Sequence, residues 1–315
     1  MIASKMKSVH RTVLLNETIE GLNLDPKSDF VVLDCTFGGG GHSFEVLAKY
    51  PKAKVIAIDQ DETAWEKAKE KFKGLESRIT FINANFKDLE NFSNFPNRVD
   101  GIILDLGLSS DQLENSGRGF SFLKDEPLLM TMKAPARNAS HSDAGGNPSE
   151  YTLTARDIVN TWEEKNLADI IYGYGEERFS RRIASGIVEA RKKAEIKTTF
   201  DLVKIIEKAV PAGYKRGKLH FATRTFQALR IAVNDELGVL KIGLEKGFNV
   251  LKVGGRMSVI SFHSLEDRIV KRFYQNKMKE GKAKLINKKP ILASEEELKN
   301  NPRARSAKLR ILIKL

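Results

Sequence analysis

The sequence predicts an α/β chain: a doubly wound, Rossmann-like sheet interrupted by a helical insertion. Three observations predict it. Short, nearly continuous apolar runs alternate with helical segments over the first hundred residues, the pattern of a parallel sheet covered on both faces. A run of four glycines, Gly38 to Gly41, follows directly on the first apolar run. After Leu106 the strand signal stops, helical periodicity takes over, and the α/β pattern returns only near residue 222.

The elements follow in order. Asp29–Cys35 reads as the first strand and His42–Tyr50 as the helix after the glycines. Lys54–Asp59 is a second strand, and Glu62–Phe72, rich in Lys, Glu and Ala, a helix. Ile79–Asn83 and Val99–Asp105 are strands three and four. Small polar residues from Ala134 to Glu150 read as a loop. Phe179–Lys193 and Phe200–Ala209 carry a 3.6-residue apolar period. Thr223–Leu251 reads as one or two helices ending at Gly254-Gly255. Arg256–Phe262 is a strand, Leu265–Met278 a helix and Ala307–Ile313 a final strand. The expected division is 1–108 and 222–315 for the sheet domain, with 109–221 as the insertion.

The chain has 315 residues with 41% hydrophobic and 30% charged, enough for sizeable cores without staples. Its single cysteine, Cys35, excludes an internal disulfide and a cysteine-rich zinc site. The five histidines, His10, His42, His141, His220 and His263, show no ligand spacing, so no metal is expected. No apolar stretch is long enough to span a bilayer, and the N-terminus has no secretory h-region. A cytoplasmic protein with no membrane partner is expected; its oligomeric state, a homodimer included, stays open.

Net charge is +12, but unevenly placed. Residues 181–230 hold 13 basic and 4 acidic side chains, and residues 268–315 hold 15 and 4. Two basic segments on an otherwise mildly acidic body favour a nucleic-acid partner over solvated helix faces.

Glycines between a strand and a helix let backbone approach a ligand, and the helix start offers free N–H groups. Asp59 closes strand two, 21 residues after Gly38, where a carboxylate accepts from ribose hydroxyls. A nicotinamide dinucleotide and S-adenosyl-L-methionine both fit. Ser43 stands where a dinucleotide loop wants its third glycine, and Asp34 suits a ligand amine, which favours S-adenosyl-L-methionine; Asp34 as a plain cap of the loop also stays open. Phe86, after strand three, suits packing on adenine or ordinary core packing. Asp105 ends strand four at the carboxyl edge, where open α/β sheets bind substrate. If the reaction is methyl transfer to a cytosine amine, an acceptor such as Asp105 localises the amine's delocalised lone pair, with Ser109, Ser110 and Gln112 in the same loop. Carbon-5 methylation needs a thiolate, and Cys35 lies in the cofactor loop instead. His263 lines the acceptor pocket or belongs to a cap, with Ser264 as N-cap and Asp267 as its partner.

The motifs HRTVLL (10–15), TFGGGGHS (36–43), AIDQD (57–61), ILDLGLSSDQL (103–113), RGFSF (118–122), YGEERFSRRIA (174–184), ATRTFQALRIAVNDEL (222–237), GGRMSVISFHSLEDRIVKRF (254–273) and NPRARSAKLR (301–310) span nearly the whole chain. With them the chain resembles the bacterial 16S ribosomal RNA cytosine-N4 methyltransferase family (RsmH/MraW). The resemblance implies a class I methyltransferase sheet with a helical substrate-recognition insertion, S-adenosyl-L-methionine as cofactor, and a small-subunit ribosomal RNA cytidine in the decoding region as acceptor. It assigns Gly40, Gly41, His42, Asp59, Phe86, Asp105 and Gln112 to the cofactor. Asp105, Ser109, Ser110 and His263 are the candidate catalytic residues. One stretch departs. The family continues from RGFSF into a sequence like DGPLDMRMD, whereas residues 125–133 here read DEPLLMTMK. That change touches the expected substrate side, where Phe120 or Phe122 would either stack on a flipped base or belong to the core. It also motivates a competing reading, a ribosome-assembly binding protein without turnover. A DNA or small-molecule methyltransferase is the third.

Overall fold

The computed structural model describes residues 11–91, 98–133 and 152–315. His10 and the 134–150 loop lie outside them. The chain divides into two compact units, residues 1–107 with 237–315, and residues 108–236.

The first unit is built on a seven-stranded sheet in the order β3-β2-β1-β4-β5-β7-β6. Its strands are β1 (Phe30–Asp34), β2 (Ala53–Asp59), β3 (Ile79–Asn83), β4 (Val99–Asp105), β5 (Leu251–Ser261), β6 (Ala283–Leu285) and β7 (Lys308–Lys314). β1 to β5 are parallel, while β7 runs antiparallel to both β5 and β6. The inner strands β1, β2 and β4 are present because their apolar runs are covered on both faces, whereas the edge strand β3 is only partly buried. On one face, Ile19, Leu22, Val46, Leu47 and Phe72 pack on Val32, Val55 and Ala57. They come from α1 (Leu15–Leu22), α2 (Gly41–Lys49) and the turn after α3 (Thr63–Ala68). On the other face, Leu240, Leu244, Phe248, Val270 and Tyr274 pack on Leu33, Ile102, Leu104 and Met257.

The chain reverses direction across the sheet between β1 and β4, which are neighbours. In open α/β sheets of this kind ligands bind outside the carboxyl ends of the strands at such a switch point. The loop after β1 and the end of β4 are stitched there, Cys35 N–H donating to Ile103 O at 2.9 Å.

The second unit is helical. Its core holds Ile158, Leu167, Ile171, Ile183, Ile187, Leu202, Ile206, Phe226 and Leu229. They lie on α5 (Ala155–Thr161), α6 (Glu164–Gly173), α7 (Ser180–Arg191), α8 (Thr199–Ala209) and α10 (Thr223–Asn234); α4 (Ser110–Asn115) and α9 (Ala212–Lys215) complete it.

Several expectations need correction. The insertion does not end at 221: α10 gives Phe226, Ala228 and Leu229 to the helical core, and the boundary falls after Glu236. The 223–251 segment is two helices, α10 and α11 (Glu236–Val250), broken at Asp235, whose φ is 46°. Gly254-Gly255 does not end a helix. The pair lies inside β5, where the register jumps from Val99↔Leu251 to Gly101↔Arg256, a bulge that glycine accommodates. α1, β6 and α13 (Glu295–Asn300) were not expected, being too short to show a period. The basic C-terminal segment is no free tail, since β7 is an inner strand of the sheet. Among the described residues no helix is long and apolar enough to cross a membrane.

Candidate active site

The site forms where β1 and β4 end. Asp34 is 1% exposed. Its Oδ1 accepts from Thr36 N–H at 3.2 Å and its Oδ2 from the Ser43 hydroxyl at 2.6 Å. It therefore ties the start of the glycine loop to the first turn of α2, which is the loop-cap role. Burial outweighs these two hydrogen bonds and raises its pKa to about 6.

The glycines answer to geometry. Gly40 is the N-cap of α2 with φ 68°, a left-handed conformation that glycine adopts without penalty. A Cβ at Gly41 would collide with the Thr12 hydroxyl. The segment Arg11–Leu14 thus lies directly on the loop. It is pinned from the far end of the chain, where Asn301 Nδ2 donates to Arg11 O at 3.1 Å and Leu14 N–H donates to Glu297 Oε1 at 2.8 Å.

Asp59 closes β2 and faces the same loop. Its Oδ2 accepts from Gly38 N–H at 2.7 Å and its Oδ1 from Asp61 N–H at 2.8 Å. Phe86 lies at the edge of the core, its ring resting on Gly243 of α11, where any side chain would collide with it.

Asp105 is the acid of this site with an unpartnered oxygen among the described residues. Its N–H donates to Thr36 Oγ1 at 2.6 Å. Its side chain is 23% exposed and Oδ2 lies 3.7 Å from Nδ1 of the buried His42. Oδ1 is sealed from water with no hydrogen-bond partner among the described residues. Burial first, then the charges of Asp34 and Glu266, push its pKa well above the usual carboxylate range. A buried acceptor left this way calls for a donor or a cation.

His263 follows β5, and its placement corrects the expected cap. His263 itself, not Ser264, is the N-cap of α12 (Ser264–Lys279), with Glu266 as box partner. Its Nδ1 accepts from Glu266 N–H at 3.4 Å, and Glu266 Oε2 accepts from Phe262 and His263 N–H at 2.8 and 3.2 Å. Asp267 instead grips Arg310 of β7 with both oxygens, at 2.7 and 3.2 Å. The helix begins one residue earlier than expected because His263 still has an extended backbone.

Ser109 and Gln112 belong to the helical unit, where they form a reciprocal capping box at the start of α4, at 3.1 and 3.0 Å. Ser110 is the first residue of that helix. Cys35 is buried, and burial together with Asp34 pushes its thiol pKa up, the opposite of an activated nucleophile. Of the two aromatics expected to stack, Phe120 is core, while Phe122 stacks on His220 at 4.5 Å. The divergent 125–133 stretch contributes Leu128, Met130 and Met132 to the helical core.

Sequence reading missed Thr36, Ser43 and Thr12. Thr36 and Ser43 are signalled only by flanking the glycine run and Thr12 by nothing local; the contacts that matter are made through space. It also overstated the second basic segment. Lys277 pairs with Glu245 at 2.8 Å, Arg310 with Asp267, and Lys314 donates to the carbonyls of Phe248 and Leu251, each at 2.7 Å.

The sheet order and the acids closing β1, β2 and β4 define a Rossmann-like α/β enzyme of the methyltransferase class. The chain matches the MraW methylase family over residues 7–315 and belongs to it. It is 44% identical over 324 residues to the ribosomal RNA small subunit methyltransferase H of Brevibacillus brevis, covering 97% of this chain and 98% of that one. It is also 44% identical over 332 residues to the protein of that name from Lactobacillus johnsonii, covering 98% and 100%. The Paenibacillus protein of that name is 42% identical over 330 residues, covering 97% and 99%.

Proposed function

We propose that this methylase transfers a methyl group from S-adenosyl-L-methionine to the N4 exocyclic amine of a cytidine in the decoding region of 16S ribosomal RNA. The observation that carries the reading is Asp105, a half-buried acid at the switch point whose Oδ1 is sealed and has no hydrogen-bond partner among the described residues. The family membership and the relatives' shared name support the same acceptor class.

When bound, S-adenosyl-L-methionine supplies an electrophilic methyl group on a sulfonium. The crevice suits such a ligand: its acids are Asp34, Asp59 and Asp105, and an unsatisfied carboxylate oxygen attracts a cation or an amine. Gly40, Gly41 and His42 give the bare backbone and the helix start against which a ligand can lie close. Asp59 accepts from the ribose hydroxyls, and Phe86 offers its ring to the adenine. Gln112 completes the set by its motif position.

On the acceptor side, Asp105 accepts a hydrogen bond from the cytosine amine and so localises its lone pair. Its raised pKa fits it to take the proton that the amine sheds once the carbon–nitrogen bond forms. His263 is assigned to holding the base; Ser109 and Ser110 keep their candidate catalytic role by motif position alone. The remaining gain is positioning, which supplies much of the barrier reduction in such transfers.

The test is radiolabel transfer from S-adenosyl-L-methionine to small subunits of a strain lacking the gene. Mass spectrometry of their RNA, with and without the gene, should differ by one methyl on one cytidine. Folded wild-type protein that transfers no label above background would overturn the reading and favour a binding protein without turnover.

A further inference from the structure

Tyr214 is the hub of an arginine-bearing aromatic platform in the helical unit. Its hydroxyl donates to Glu177 Oε2, and Glu177 is fully buried. The other oxygen of Glu177 accepts from Phe179 N–H at 2.8 Å. One carboxylate thus fixes both the Tyr214 ring and the chain entering α7. Phe179 packs edge-on against Tyr214, with ring centres 5.0 Å apart.

Arginines lie on these rings. The Arg178 guanidinium sits 4.7 Å from the centre of Phe179 and 5.2 Å from that of Tyr214, and Arg182 sits 5.9 Å from Phe179. Arg224 donates to Glu176 O at 3.0 Å, and its charge, like that of Arg178, acts on the Tyr214 hydroxyl. Among the described residues no carboxylate lies within 4.0 Å of the Arg178, Arg182 or Arg224 guanidinium. Arg178 and Arg182 are exposed. A guanidinium resting on a ring keeps its N–H edge free and loses little freedom on binding. Uncompensated cations held side by side repel one another until a polyanion arrives.

We propose that this platform binds the phosphodiester backbone of single-stranded RNA, with Arg178 and Arg182 as the phosphate forks and Glu177 and Tyr214 as the positioning residues behind them. The inference rests on the RNA acceptor argued above and adds where the helical unit grips it. A planar, preoriented guanidinium matches the two oxygens of a phosphate, and the rings give no base preference, so the grip is on backbone rather than sequence.

The test uses the full chain and a fluorescein-labelled, mixed-sequence 15-mer RNA, read by anisotropy across a salt series. Arg178→Ala/Arg182→Ala should weaken binding about tenfold near 0.1 M salt and flatten the salt slope by roughly 1 to 2. Affinity for S-adenosylhomocysteine should not change, and far-UV circular dichroism and the melting of the helical unit should match the wild type, which shows that this unit is folded. Tyr214→Phe keeps every charge but releases the anchor, so affinity should fall about threefold with the slope intact. Arg178→Lys/Arg182→Lys should likewise keep the slope and lose affinity, because ammonium groups cannot fork a phosphate.

Wild-type affinity and slope in the alanine pair, or wild-type affinity in the lysine pair, would overturn the proposal. So would normal binding to the 15-mer combined with lost co-sedimentation with small subunits, which points to a ribosomal protein contact. Methyl transfer by the wild-type enzyme is scored separately, so the platform can fail while the proposed activity stands.

Discussion

Asp34→Asn should make the sheet unit more stable at neutral pH, and by an amount that depends on pH. The folded-state pKa of Asp34 is about 6 against an ordinary 3.8. Because the folded pKa lies above the unfolded one, the native state holds this proton more tightly. The resulting stability is present below about pH 4 and is lost as pH rises through about 6. Two units at about 1.36 kcal/mol each give roughly 3 kcal/mol. Asp34 is 1% exposed, so solvent screening takes little from this figure. Asparagine is close to isosteric. Its carbonyl accepts from Thr36 N–H and its amide donates to Ser43 Oγ with the hydroxyl turned round, so both loop ties survive. The assay is urea or thermal unfolding of both proteins from pH 4.5 to 8. Relative to the wild type, the variant should gain about 2 kcal/mol between pH 4.5 and 8, the first ~1 kcal/mol of the span lying below pH 4.5, or about 4–8 °C in Tm for a unit of this size. A difference that stays flat with pH would refute the claim that burial of an ionised Asp34 is a cost the fold bears.

Asp105→Asn should raise Tm at pH 7 to 8, with the gain shrinking as pH falls, because its folded pKa is also raised; methyl transfer should vanish. A lower Tm at pH 8 would contradict the raised-pKa account. Removing the Asp34 charge should in addition lower the Asp105 pKa, so the acid limb of the Asp34→Asn pH–rate profile should move to lower pH. His263→Ala should cost about 1 kcal/mol for the lost cap, whereas His263→Asn, a good N-cap, should cost almost nothing. If the imidazole also holds the base, both variants lose activity alike; an active His263→Asn enzyme restricts this residue to capping. Gly243→Ala drives a methyl into the Phe86 ring and should cost about 1–3 kcal/mol. It should also weaken S-adenosylhomocysteine binding, measured by calorimetry.

The parallel sheet was readable from residue order alone because its inner strands, covered on both faces, are nearly continuous apolar runs. β1 to β4 appear within a residue or two of where the periodicity puts them. The positions of Asp59 and Asp105 were equally readable, since a residue that ends a parallel strand in this order has only the carboxyl edge to occupy. Short elements escaped. α1, β6 and α13 are held by contacts with residues more than two hundred positions away or by one neighbouring strand, and they carry too few residues to show a period.

What only the tertiary structure decided is the state of each acid and the fate of each charge. Asp34 became a loop tie because Ser43, nine residues later, turns back onto it across the first turn of α2. Asp105 became an acceptor with a raised pKa because β1 and α12 bring two further carboxylates near it and its Oδ1 is sealed from water. His263, not Ser264, caps α12 because the chain is still extended at that residue. Arg310 and Lys277, counted in sequence as part of a basic segment, are consumed by Asp267 and Glu245, while Arg178 and Arg182 have no carboxylate partner among the described residues. Local sequence sets where a strand or helix forms. Burial and through-space pairing, which fix pKa values and leave some charges free, depend on which distant residues the fold sets side by side.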